Sequence, residues 1–134
     1  MFYCIYMNQE IVTELEGGVP GFIQFLATNP GVIVVKFGAT WCGPCKAIAV
    51  QTHGYMHDIT AKYPNSVICC DIDVDESFDV YATLKQKKMV SGIPAILCWY
   101  AGNNTIIPDD SVIGADLNQI KQLFLRCAAK IAQT

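Results

Sequence analysis

Cys42 and Cys45 stand three positions apart in the stretch Trp41-Cys42-Gly43-Pro44-Cys45-Lys46. Two thiols at that spacing, at the start of a helix, can close into a disulfide and open again. The helix N-terminus favours thiolate on the first of them, and thiolate is the form that attacks another sulfur. The same spacing can also supply half of a zinc site. A zinc ribbon then needs a second cysteine pair at ligand spacing. Cys69 and Cys70 are adjacent instead, and neighbours on a strand point to opposite faces. His53 and His57 lie four residues apart with no third ligand in view, so both read as surface residues. Thiol–disulfide chemistry is the better reading, and no metal is expected.

Such a pair needs a rigid platform. Val32–Phe37 is almost continuously apolar and β-branched, the pattern of a central strand buried on both faces. It leads into the cysteine stretch. A long helix follows from about Pro44 to Lys62 and stops before Pro64. Before this unit, Phe2–Tyr6 reads as a short strand and Gly18–Thr28 as a helix with Pro20 in its first turn. After it come a strand at Ser66–Ile72, a helix at Glu76–Lys88 and a strand at Ile96–Tyr100. Ala101-Gly102-Asn103-Asn104 is a turn, so a hairpin partner is expected within Thr105–Ile113. Asp109-Asp110-Ser111 is the most loop-like patch there. Leu117–Ala132 is an amphipathic helix with Leu117, Ile120, Leu123, Phe124 and Ile131 on one face.

The order β-α-β-α-β-α-β-β-α defines an α/β fold. A central mixed sheet is expected, mostly parallel with an antiparallel C-terminal hairpin, flanked by four helices. No linker, repeat or low-complexity segment divides the 134 residues, so one domain over 1–134 is expected.

Composition narrows the function. The chain is 52% hydrophobic and 16% charged, which is core-rich and unlike disorder. A formal net charge of -3 and the lack of a basic stripe argue against nucleic-acid binding. The cluster Lys85, Lys87 and Lys88 reads as a solvated helix face. No apolar run approaches the roughly 18 residues of a membrane span, so no membrane partner is expected. Met1–Met7 has neither the basic start nor the length of a signal peptide. Together with an odd count of seven cysteines, this argues against a stapled secreted fold. The expected location is the reducing cytoplasm.

The chain resembles thioredoxin over nearly its whole length. The resemblance rests on Phe37-x-Ala39-x-Trp41-Cys42-Gly43-Pro44-Cys45-Lys46, on Gly92-Ile93-Pro94, on Asp71-Ile72-Asp73-Val74-Asp75 and on Ile113-Gly114-Ala115. It implies the thioredoxin fold and reduction of protein disulfides. Cys42 would be the exposed nucleophile that forms a mixed disulfide with substrate, and Cys45 would resolve it. Gly43 and Pro44 would shape the loop and the helix start. Pro94 would be the family's cis-proline, and the Ile93 backbone would pair with extended substrate. Trp41 and Gly114 would border the groove. No bound cofactor is implied; the Cys42–Cys45 disulfide is the redox group, and NADPH enters only through a thioredoxin reductase.

The sequence departs from the family at several places. Lys36 stands where thioredoxins usually carry a buried acid that helps to deprotonate the second cysteine. Asp71 stands where Lys or Glu is frequent, so a partly buried Lys36–Asp71 pair of reversed sign is expected. A cation near the dithiol favours thiolate and raises the reduction potential, so Lys36→Asp should lower it; alternatively, burial pushes Lys36 toward neutrality and it takes the proton from Cys45 itself. Val50 replaces a common helix-kinking proline, Gly38 a bulky aromatic and Ala95 a threonine. Gly38 should leave room beneath the cysteines. The remaining cysteines read as core. The alternative function is a binding or structural module of the same fold with little redox turnover, using the groove or the hairpin around Thr105–Ser111.

Overall fold

The computed structural model describes residues 10–133. The expected strand at Phe2–Tyr6 and Cys4 lie outside them. The elements are α1 (Gly18–Ala27), β1 (Val32–Gly38), α2 (Gly43–Lys62), β2 (Val67–Asp73), α3 (Phe78–Gln86), β3 (Ala95–Tyr100), β4 (Asp110–Ile113) and α4 (Leu117–Ala132). Each expected element within residues 10–133 is present, with ends shifted by a few residues.

The four-stranded sheet has the order β2-β1-β3-β4. β1 pairs with β2 in parallel, from Val32 opposite Val67 to Gly38 opposite Asp73. β3 runs antiparallel to both β1 and β4. Among the described residues, therefore, one strand pairing of three is parallel, and the sheet is mixed rather than mostly parallel. The reason lies in the α3 connection. β2 ends at Asp73 beside Gly38, and β3 begins at Ala95 beside Phe37. The chain returns to the end it left, so β3 must run back along β1. Val12 adds a single parallel bridge to Cys70 on the outer edge of β2.

Alternation along β1 divides the core into two layers. Ile33, Val35 and Phe37 face α1 and α3 together with Leu97 and Trp99. Val32 and Val34 face α2 and α4 together with Cys69, Ile96 and Cys98. Cys69 and Cys70 thus point to opposite layers, as their adjacency requires. Each fully buried Ile or Leu here contributes roughly 1.5–3 kcal/mol of burial free energy. Phe22 meets Trp99 edge-on, with ring centroids 5.2 Å apart.

In Asp109-Asp110-Ser111 only Asp109 stays outside a strand. Asp110 and Ser111 open β4. Asp109 N–H donates to the Cys98 carbonyl at 2.8 Å, and its carboxylate accepts from Tyr100 N–H at 2.8 Å. Arg126 on α4 grips the Asp110 carboxylate through Nε at 2.7 Å and through a second nitrogen at 3.1 Å. Aspartates that suggest a turn here satisfy the backbone and helix beside an edge strand.

α4 starts at Asp116, whose Oδ1 accepts from Asn118 N–H at 3.0 Å and Gln119 N–H at 3.1 Å. This satisfies two donors that no helical carbonyl reaches. Asp116→Ala is expected to lower the unfolding free energy by about 1 kcal/mol in a urea titration, without changing the redox potential.

Candidate functional site

β1 delivers the chain to the site. After Gly38 a tight turn, closed by the Cys42 N–H donating to the Ala39 carbonyl at 3.2 Å, places Cys42 as the N-cap of α2. Pro44 lies in the first turn, where a missing N–H leaves no helical bond unmade. The Cys42 Sγ accepts from the Cys45 N–H at 3.2 Å. Cys42 and Cys45 are joined as a disulfide with Cα atoms 5.3 Å apart. The sulfur of Cys42 therefore sits where the dipole and free amides of α2 support negative charge.

Cys42 is only 5% exposed, against the expectation of an exposed nucleophile. Its extended backbone turns the side chain back onto the helix start. Trp41 projects instead, at 66% exposure, and its Nε1–H donates to Asp75 Oδ2 at 2.8 Å. Asp75 is a partner that the sequence reading missed.

Beneath the dithiol lies the expected ion pair. Lys36 Nζ donates to Asp71 Oδ1 at 3.2 Å, with the lysine 5% exposed. Lys36 and Asp71 are direct partners across β1 and β2. The second oxygen of Asp71 meets His53 Nε2 at 2.5 Å. His53 is thus not a plain surface residue; it joins Asp71 to the solvent. A signal existed: Cys45, Ala49 and His53 recur every four residues and share one face of α2. His57 stays exposed.

Gly38 explains how Lys36 fits. A methyl on Gly38 would lie 3.4 Å from the Cys45 Sγ and 3.6 Å from the Lys36 Nζ. One methyl-sized gap therefore separates the ammonium from the thiol, and an aromatic side chain here would fill it. A cavity of 280 Å³ lined by Lys36, Gly38, Cys45, Ala49 and Asp71 continues from that gap. It is open to solvent and has room for several waters.

On the other side, Pro94 is buried and the Ile93–Pro94 peptide is cis. The Pro94 carbonyl accepts from Gly114 N–H at 2.8 Å. Gly114 has φ 106°, a region that L side chains rarely adopt. Since Ala95 opposes Phe37, Pro94 lies beside the end of β1 that launches the cysteine turn.

The other described cysteines are kept from this chemistry. Burial pushes the Cys69 thiol up to about 12 and the Cys70 and Cys98 thiols well above their ordinary range. They stay protonated and poorly nucleophilic.

A dithiol capping a helix at the end of a central strand defines a thiol–disulfide oxidoreductase. The thioredoxin family model matches residues 14–124. Thioredoxin-2 of Saccharomyces cerevisiae is 36% identical over 112 residues, covering 84% of this chain and 94% of that protein. Human thioredoxin is 41% identical over 63 residues, 47% of this chain and 55% of that protein. The structure of Trichomonas vaginalis thioredoxin is similar at a TM-score of 0.63 and 28% identity, covering 87% of this chain and 96% of that one. Malassezia sympodialis thioredoxin shares the fold at a TM-score of 0.66 and 22% identity, covering 90% and 92%. The chain belongs to the thioredoxin family. Its redox group is its own cysteine pair rather than a bound cofactor, and its substrates are proteins with disulfides.

Proposed function

We propose that the chain acts as one thioredoxin domain in the reducing cytoplasm, with Cys42 as nucleophile, Cys45 as resolving thiol and Lys36 as a fixed positive charge beneath them. The observation that carries the assignment of roles is the position of Cys42 at the N-cap of α2, with Cys45 behind it in the cavity that holds Lys36. The Cys42 thiolate attacks a substrate disulfide, forming a mixed disulfide and releasing one substrate thiolate. Cys45 then gives its proton to a solvent water entering the cleft beside it, and the thiolate attacks the Cys42 sulfur. The second substrate thiolate leaves, and the Cys42–Cys45 bond closes. The Ile93 backbone beside Pro94 receives extended substrate as an added strand, bordered by Trp41 and Gly114. Gly43 and Pro44 form the floor that substrate meets at the loop. A thioredoxin reductase drawing on NADPH regenerates the dithiol. Free Cys69, Cys70, Cys98 and Cys127 support a reducing location.

Lys36, 3.2 Å from Asp71 and almost fully buried beneath the cysteines, acts on the thiols through its charge. It favours thiolate in the reduced form, which raises the reduction potential. Lys36→Met should therefore lower the potential. With Asp71 opposing part of the field, the effect is roughly 1 kcal/mol, or about 20 mV. Equilibration of both chains against glutathione measures it. An unchanged or higher potential in Lys36→Met would remove Lys36 from the site's electrostatics.

A further inference from the structure

Two cysteines outside this site have a geometry of their own. Cys98 lies in β3 and Cys127 on the inner face of α4, 29 positions apart in the chain. Their Sγ atoms are 3.0 Å apart, and both residues are fully buried. Non-bonded heavy atoms usually rest at about 3.5–4.0 Å. A disulfide bond needs about 2.05 Å. The two sulfurs are thus inside ordinary contact, and a small shift brings them to bonding distance. The third thiol of this layer is occupied differently. Cys69 faces the same core, across Val34 from Cys98, and its sulfur lies 3.9 Å from the Thr60 hydroxyl, which donates to the Met56 carbonyl. Nothing in the oxidoreductase mechanism uses Cys98 or Cys127. Packing alone requires only small apolar groups there, not two sulfurs in contact.

We propose that Cys98 and Cys127 form a second dithiol, which a hydroperoxide closes into a disulfide that pins α4 to β3. The pair has no exposed surface, so bulky disulfides do not reach it in the closed fold. A small neutral hydroperoxide does so when α4 opens locally. With hydrogen peroxide, one cysteine sulfur attacks a peroxide oxygen and the O–O bond breaks. The departing hydroxide takes the thiol proton and leaves as water, and the cysteine becomes a sulfenic acid. The second sulfur attacks the sulfenic sulfur, the S–O bond breaks and a second water leaves. Two thiols lose two electrons, and one peroxide becomes two waters. Burial raises the Cys98 thiol well above its ordinary range, which keeps the pair reduced until peroxide is abundant. The Cys42–Cys45 pair closes first.

The test treats the full chain with hydrogen peroxide, then alkylates it in denaturant and maps tryptic peptides. Cleavage after Arg126 and Lys130 frees Cys127-Ala128-Ala129-Lys130. The expected product is that tetrapeptide joined by a disulfide to the peptide carrying Cys98. It appears after the Cys42–Cys45 bond has closed and disappears with dithiothreitol. The doubly oxidised chain also unfolds at a higher urea concentration than the singly oxidised one. Cys127→Ala loses the linked peptide while keeping the Cys42–Cys45 bond. Recovery of Cys98 and Cys127 as alkylated thiols at peroxide doses well above those that close Cys42–Cys45 completely would overturn the proposal. So would sulfinic or sulfonic acid at either residue without the link, or a bond from either to a different cysteine.

Discussion

A Cys42→Ser chain is expected to reduce insulin no faster than dithiothreitol alone. The serine hydroxyl still caps α2, as the Cys42 sulfur does for the Cys45 N–H at 3.2 Å, so the fold should persist. What disappears is a thiol at a helix N-terminus, whose thiolate attacks sulfur. No other described cysteine can replace it, since Cys69, Cys70, Cys98 and Cys127 are buried. Cys45→Ser tests the second role. It keeps the nucleophile but cannot resolve the intermediate, so the chain should accumulate as a mixed disulfide with substrate. Mass spectrometry reads the adduct, and dithiothreitol should remove it. Turnover in Cys42→Ser above background, or no adduct in Cys45→Ser, would reassign the two cysteines.

The second large effect concerns stability. Asp71→Asn should cost about 2–3 kcal/mol in urea unfolding. Removing one partner of a buried pair costs about 3–5 kcal/mol, because the other charge stays desolvated. The lower figure applies here because a quarter of the Asp71 side chain meets solvent while Lys36 does not. Lys36→Met in the same chain should recover most of the loss, since a buried pair replaced by uncharged groups is near neutral. The double-mutant cycle isolates the coupling between them. A loss equal to that of an ordinary surface substitution would mean that Lys36 reaches solvent some other way.

The strand–helix platform was legible because its signals are local. The apolar run at Val32–Phe37 and the long helix ending near Pro64 each state their own boundaries. The Lys36–Asp71 pair was legible because the resemblance makes their two strands neighbours and gives the two positions opposite charges. The direction of β3 was not, because a helix between two strands does not say to which end the chain returns. His53 was missed because its partner is 18 residues away, on a strand rather than on its own helix. The exposure of Cys42 was misjudged because the residue next to it takes the surface. The hairpin aspartates misled because Asp suits turns, while here its oxygens serve β4, Tyr100 and Arg126.

The two tryptophans of the chain divide between these settings. Trp41 is largely in solvent, next to Cys42, and its indole is held in place by Asp75. Trp99 is wholly dry against Phe22, in the layer opposite the dithiol. An indole's emission follows the polarity around it. The protein therefore carries two native optical probes in different environments. One reports on events at the cysteine pair, and the other on the core layer between α1 and the sheet.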